Sequence, residues 1–148
     1  MKKILAVLTI ASALLLTGCS QTNEAASVGG FKITQTQLQG SIDAVMAERS
    51  KVDITQMQLE SGDALNRGQL RFKILMHTFD EIAKELKIEV TSSNIETKKA
   101  AITESVGGPA ELPKNLVNAA IAQADFDTYV RAIVISEQIT AAFASSGV

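Results

Sequence analysis

The chain contains one histidine and one cysteine, so it offers few groups for acid–base, nucleophilic or metal chemistry. A single cysteine excludes an internal disulfide and a cysteine-rich zinc site. His77 precedes Asp80 and Glu81 at the spacing where helical neighbours meet, and a surface imidazole–carboxylate pair explains this arrangement without catalysis. The H-E-x-x-H, G-x-S-x-G and P-loop patterns do not occur in the sequence. We therefore expect no catalytic residue, no metal ion and no cofactor, and we expect that the protein is not an enzyme.

Cys19 closes an N-terminal segment that has the layout of a secretory signal peptide. Two lysines precede a 13-residue, mostly apolar stretch from Ile4 to Leu16, and small residues follow it. This stretch is shorter than the roughly 20 residues that a helix needs to cross a bilayer. A buried N-terminal helix is the alternative, but the basic flank, the length and the small residues all favour export.

The four residues Leu16-Thr17-Gly18-Cys19 resemble the lipobox of bacterial lipoproteins, L-x-[GA]-C. The resemblance implies cleavage before Cys19, a diacylglycerol thioether on its sulfur and acylation of the new amino group, with fatty acids such as palmitate. An unmodified cysteine in an ordinary signal peptide is the alternative. Two or three acyl chains anchor a protein stably, whereas one holds it only marginally. We expect an exported protein, anchored by lipid to the cell membrane or outer membrane and facing the periplasm or the cell exterior.

The charge of the chain argues against a nucleic-acid partner. Its formal net charge is −2, and removal of residues 1–18 would take away Lys2 and Lys3 but no acid, which gives −4. Nucleic-acid-binding proteins usually carry a basic excess, and an acidic body is not attracted to anionic lipid. Residues 19–27 are small and polar and predict a flexible tether, and residues 28–148 are expected to form the domain.

Apolar periodicity predicts an all-α domain of about five helices, with one long central helix and at most a short N-terminal strand. Gly29-Gly30 favours a tight turn over a phosphate-binding loop, because a lone glycine pair lacks the rest of that motif. Residues 51–62 predict a loop or a short helix. The helices are expected from Thr34 to about Arg49, Asp63 to about Leu86, Ser92 to about Val106, Leu112 to Ile121, and from Asp125 onward.

Three stretches together resemble the N-terminal domain of the SurA/PrsA family of exported chaperones and foldases. Val28 to Thr34 is similar to the opening V-[NG]-G-x-x-I-T, Ile74 to Leu86 to the family's long helix, and Ile88 to Thr91 to the junction I-x-V-[TS]. The segment from Leu112 to Ile139 is similar to the later helices. The resemblance covers about residues 27–140 and implies a SurA-like helical fold with a chaperone function.

The sequence departs from this family in two respects. Lys87 replaces the usual glycine, and Ser92 and Ser93 replace the usual acids. In addition, members of the family often continue into a parvulin-type prolyl isomerase domain, for which this chain has no residues. The resemblance therefore implies a chaperone-like module without isomerase activity.

Met46, Met57, Phe72, Met76 and Phe79 are the candidate peptide-binding residues. Methionine is flexible and suits surfaces that accept many partners. The favoured alternative is that these residues fill the core, but our hypothesis is that some line a groove between the first and second helices. We expect a chaperone-like lipoprotein that binds non-native or extended polypeptides. The other interpretation is a structural or adaptor lipoprotein with one dedicated protein partner, and a homodimer is left open.

Overall fold

The computed structural model describes residues 23–146, with side chains for residues 23–144. The predicted signal peptide 1–18, Cys19 and residues 20–22 of the predicted tether lie outside the described residues. The elements are β1 (Glu24–Val28), β2 (Phe31–Thr34), α1 (Gln35–Arg49), α2 (Gly62–Glu85), α3 (Ser92–Ser105), α4 (Leu112–Asn118), a 3-10 turn (Gln123–Asp125) and α5 (Phe126–Ser146). The prediction of an all-α domain is confirmed in part, since the described chain is mostly helical with five helices and a long central one. The expectation of at most one short strand is wrong, because β1 and β2 pair in a two-stranded antiparallel sheet.

The N-terminal part of the domain is an antiparallel hairpin of two strands. Gly29 and Gly30 both have positive φ, 56° and 87°, which gives the tight turn whose twist matches that of the paired strands. Val28 pairs with Phe31 across this turn, and an irregularity in the register follows Glu24. The tether prediction is therefore wrong for residues 24–27, which form β1, because the glycine turn brings this polar segment onto the backbone of β2.

Two helices begin with side-chain caps. The Thr34 hydroxyl accepts from the Gln37 backbone N–H (3.1 Å), and the Gln37 side chain accepts from the Thr34 N–H (2.9 Å). Thr91 and Asn94 form the same reciprocal arrangement at the start of α3. Each box satisfies backbone donors that a helix leaves unpaired in its first turn.

Other helix ends differ from the prediction. Ser61, not Asp63, is the N-cap of α2, and it makes no side-chain capping bond. Asp125 ends the 3-10 turn, and α5 begins one residue later. Helix α4 ends at Asn118, three residues earlier than predicted, because Ala120 adopts a left-handed φ of 54° that no α-helix can continue.

The main core lies where α4 and α5 meet α2 and α3. Its buried cluster is Leu116, Ile121, Phe126 and Val130, and half-buried side chains from the other two helices pack on it, among them Phe72 and Ile102. A second cluster joins α1 to the start of α2 through Val45, Leu65 and Ala122. These two clusters join the five helices. The hairpin is attached separately, through Ile33, which is 1% exposed, and through Phe31, which stacks on His77.

Helices α2 and α5 lie side by side and run in the same direction. Arg131 Nε donates to Asp80 Oδ1 at 2.9 Å near their middle. Leu75 shares a cavity with Ile133, and Leu86, which caps the C-terminus of α2, shares one with Phe143, further along α5. Within residues 23–146, none of the helices has both the length and the apolar content that a membrane span requires.

Candidate functional site

The five candidate peptide-binding residues do not form one groove. Phe72 and Met76 line a cavity beside the hairpin, and Met76 and Phe79 line a second one between α2 and α5. Met46 is 50% exposed on α1 and Met57 is half-buried in the loop before α2. Neither of these two methionines lines either of the two cavities.

The first cavity, here called the hairpin cavity, has a volume of about 250 Å³. Its apolar surface comes from Phe31 and Ile33 of β2 and from Phe72 and Met76 of α2. From α1 only Gln37 reaches it, so this cavity lies mainly between β2 and α2 rather than between the first two helices. The remaining lining residues are Lys73, His77, Asp80, Asp125 and Thr128.

His77 stacks on an aromatic ring instead of pairing with a carboxylate. Its imidazole lies 3.9 Å from the Phe31 ring, centroid to centroid, at an interplanar angle of 14°. Asp80 accepts from Arg131, and Glu81 accepts from Lys84 at 2.7 Å. The Lys84 ammonium holds the pKa of Glu81 below its usual value. The predicted His77–carboxylate pair is therefore wrong, because each carboxylate already has a cationic partner and His77 anchors the hairpin to α2.

Two other acidic residues, Asp43 and Asp53, have local structural partners. Asp43 accepts from Gln39 one helical turn away, at 2.8 Å. Asp53 accepts from the Thr55 hydroxyl and backbone N–H, and these bonds lower the pKa of the Asp53 carboxyl. Across the described part of the chain, no three His, Cys, Asp or Glu side chains come close enough to hold a metal ion.

The second feature is a seam between α2 and α5, here called the α2–α5 groove. It consists of two cavities of about 210 and 340 Å³ that follow one another along the two parallel helices. Leu75 of α2 and Leu86, the residue that caps the C-terminus of α2, mark its ends, and eleven residues at 1.5 Å per residue separate them by about 16 Å. The lining residues are Leu75, Met76, Phe79, Tyr129, Ala132, Ile133, Ser136 and Glu137 in the first cavity, and Leu86, Ile88, Ile139, Ala142 and Phe143 in the second.

Large apolar side chains remain exposed along this groove. Leu75 is 46% exposed, Leu86 54% and Phe143 59%. Polar groups occur at one end, where Tyr129, Ser136 and Glu137 lie, and the Glu137 carboxylate is already paired with Lys98 at 2.7 Å. The groove can therefore hold apolar side chains through non-directional contact, with few hydrogen bonds to select among them.

The sequence contained part of the signal for this groove. Leu75, Phe79, Ile82 and Leu86 recur at spacings of four, three and four residues, which is the period of one helix face. Such a stripe predicts a face that packs against the core. Periodicity does not reveal that Leu75 and Leu86 stay half exposed, because their exposure depends on how closely α5 packs against α2.

In comparisons with known proteins, no family model, curated protein or solved structure matches this chain. What the protein does must therefore be inferred from its own residues and geometry.

Proposed function

We propose that this protein is a lipid-anchored extracytoplasmic chaperone-like protein that binds non-native or extended polypeptides in the α2–α5 groove. The observation that carries the proposal is the exposure of Leu75, Leu86 and Phe143 beside two mainly apolar cavities that follow one another between α2 and α5. Contiguous exposed apolar surface on a folded protein is typical of interaction sites. The finer assignment of the fold as SurA-like belongs to the same proposal and is supported by the sequence resemblance.

The lining of the groove suits many partners rather than one. Met76 and Phe79, two of the five candidate residues, line it. Met76 is only 8% exposed and so belongs mainly to the core, but its flexible thioether at the base of the groove can adapt to differently shaped side chains. Binding by apolar contact over a short seam is weak, and weak complexes dissociate fast. The protein would thus release its clients without a nucleotide-driven step.

The groove is tested by replacing Leu75 and Leu86 together with glutamate. A carboxylate at each end would have to be buried without a partner when an apolar segment binds, which costs several kcal/mol. We expect the double variant to lose at least about tenfold in its affinity for unfolded clients, which is about 1.4 kcal/mol. The measurements are binding of a hydrophobic dye and suppression of aggregation, by light scattering, for several unrelated denatured proteins.

Ile54→Glu is the matched control, because Ile54 is also an exposed aliphatic residue (40%) but lies in the loop before α2, outside the groove. This control is expected to keep full client binding. A double variant that folds normally by circular dichroism and still suppresses aggregation fully would contradict the groove assignment. Met46→Glu tests Met46, the candidate on α1 that was predicted from the sequence. If only this variant lost client binding, the binding site would lie on α1. Capture of one protein without general suppression would favour the adaptor interpretation.

The lipid anchor is tested by Cys19→Ser, at a position outside the described residues. A serine hydroxyl cannot form the thioether, and each acyl CH₂ withdrawn from the bilayer forfeits about 0.8 kcal/mol of membrane affinity. We expect the variant to move from the detergent phase to the aqueous phase in phase-partitioning experiments on cells that make it. Unchanged partitioning into detergent would show that Cys19 does not carry the anchor.

A further inference from the structure

The two cavities of the α2–α5 groove are small. Their volumes are about 210 Å³ for the first and about 340 Å³ for the second. Pockets that hold a drug-sized molecule usually have volumes of about 300–1,000 Å³, so these two lie at or below the lower end of that range. Each cavity therefore suits a single large side chain of a client better than a compact ligand of many atoms.

Ile82 occupies the position between the two cavities on α2. At 3.6 residues per turn, Phe79, Ile82 and Leu86 fall within a sector of about 60° around the helix axis, so they share one face. Phe79 lines the first cavity and Leu86 lines the second, whereas Ile82 lines neither of them. Ile82 is half-buried. We infer from this placement that its side chain fills the groove midway, where a large client side chain finds no room.

The distance between the cavities limits which client segments can reach both of them. The lining residues of α5 are centred on Ile133 in the first cavity and on Ala141 in the second. Eight residues at 1.5 Å per residue separate these centres by about 12 Å. The outer ends of the groove on α2 are about 16 Å apart, which sets the upper limit. A client must therefore present two side chains about 12–16 Å apart.

An extended segment meets this requirement with few residues. A strand rises about 3.3 Å per residue and its alternate side chains point the same way, so residues four apart present their side chains about 13 Å apart. Only one side chain, that of the residue midway, then points at Ile82. The groove is open to solvent along Leu75, Leu86 and Phe143, so the backbone of an extended segment can keep its hydrogen bonds to water.

A helical segment fits the same groove less well. At 1.5 Å per residue, a helix needs about 8–11 residues to span 12–16 Å. Side chains three and four positions along the helix share the face of the first anchor, so at least two of them point into the groove between its ends. These side chains would meet Ile82. The geometry of the groove therefore favours an extended client over a helical one.

We propose that the α2–α5 groove selects extended segments in which two large apolar residues lie four positions apart with a small residue midway between them. The two large side chains enter the two cavities, and the small residue passes over Ile82. This inference rests on the polypeptide-binding function proposed above and specifies which segments of a client the groove binds. Such a pattern is short enough to recur in many unrelated sequences, so it is compatible with a broad range of clients.

Fluorescence anisotropy with labelled peptides tests the spacing. The reference peptide carries two phenylalanines four positions apart, an alanine midway, and serine or glutamine elsewhere. Two peptides of the same composition place the phenylalanines next to one another or seven positions apart. We expect the full chain to bind the reference peptide at least about tenfold more tightly than either of the others, because only the reference peptide fills both cavities. Equal binding of the three peptides would overturn the proposal.

Ile82→Ala tests why the midway residue must be small. A peptide with leucine in place of the midway alanine should bind the unmodified protein at least about tenfold more weakly than the reference peptide. It should bind the Ile82→Ala variant as tightly as the reference peptide does, because the shorter side chain leaves room. Ile74→Ala is the matched control, since Ile74 is also half-buried on α2 but lines neither cavity.

The control variant should still discriminate against the leucine peptide. Circular dichroism checks that both variants are folded. The role of Ile82 would be contradicted if the leucine peptide bound the unmodified protein as well as the reference peptide does. Continued rejection of the leucine peptide by a folded Ile82→Ala variant would contradict it as well.

Proline tests the extended conformation. Proline directly after the first phenylalanine is compatible with an extended backbone, but it breaks the interior of a helix and disfavours helical angles in the residue before it. We expect this peptide to bind within about twofold of the reference peptide. A loss of tenfold or more would show that the groove binds a helix, and the proposal would be wrong.

Denatured clients and peptides together distinguish this inference from the proposed function. The Leu75→Glu, Leu86→Glu variant should lose both the denatured clients and the reference peptide. If it lost the denatured clients while the unmodified protein bound all peptides alike, or none of them, the groove would stand and the proposed pattern would fall. If the unmodified protein bound neither denatured clients nor any peptide, the proposed function itself would fall, and this inference with it.

Discussion

Replacing Phe126 with alanine is expected to lower the free energy of unfolding by about 3–5 kcal/mol. Phe126 is 2% exposed and belongs to the main core cluster with Leu116, Ile121 and Val130. Side chains from α2, α3 and α4 pack against that cluster, so the cavity left by the ring would loosen several contacts at once. Domains of this size are stable by only about 5–15 kcal/mol, so the loss is a large share of the total.

Urea denaturation followed by circular dichroism measures this effect. Phe143→Ala is the matched control, since it removes the same side chain from the same helix at a position that is 59% exposed. We expect its effect to stay below about 1 kcal/mol, because an exposed ring forfeits little burial. Similar losses for the two variants would mean that Phe126 is not at the centre of the core.

Replacing Arg49 with methionine is expected to raise the free energy of unfolding by about 1–3 kcal/mol. Arg49 is 6% exposed, and its Nε and Nη2 are buried without a hydrogen-bond partner. Its Nη1 contacts only a weak acceptor, the Met46 sulfur, at 3.7 Å. Methionine has a similar length and no charge, so it removes the penalty of a buried, unpaired guanidinium while it keeps most of the packing.

One favourable effect of Arg49 opposes this gain. Its positive charge lies in the last turn of α1, where its interaction with the helix dipole stabilises the helix by about 0.3–1 kcal/mol. This is smaller than the burial penalty, so the net change should still be stabilising. Arg71→Met, at an exposed site on α2, is the control and should change stability by less than about 0.5 kcal/mol. A destabilised Arg49→Met variant would show that the guanidinium is satisfied in solution, by water or an anion.

Local chemistry made much of the fold predictable from the sequence. Thr34 with Gln37 specifies a helix start within four residues, and the Gly29-Gly30 pair specifies a turn within two. These signals act between close neighbours, so the rest of the chain hardly changes them. Strand β1 was missed because its residues carry no strand pattern of their own. Only pairing with β2 makes Glu24–Val28 extended.

The candidate site was less predictable than the fold, for a physical reason. Met76 and Phe79 were identified as binding candidates from residue type, and both line the α2–α5 groove. Met46 and Met57 have the same chemistry but lie elsewhere, because exposure depends on which surfaces the neighbouring helices cover. Leu86 and Phe143 have no distinguishing chemistry, and only the three-dimensional structure shows that they line one cavity and stay exposed.

The hairpin has a mechanical consequence for a chain held by its N-terminus. Glu24, where β1 begins, lies directly opposite Thr34, where β2 ends, so the chain enters and leaves the hairpin side by side. Tension applied before Asn23 would break the hydrogen bonds between β1 and β2 one after another, starting at Glu24. It would not load all of these hydrogen bonds at the same time. Opening residues 24–34 would release about 35 Å of extended chain. Under tension, the opened hairpin would therefore lengthen the chain between its N-terminal attachment and α1. The helices would be loaded only after the hairpin had opened.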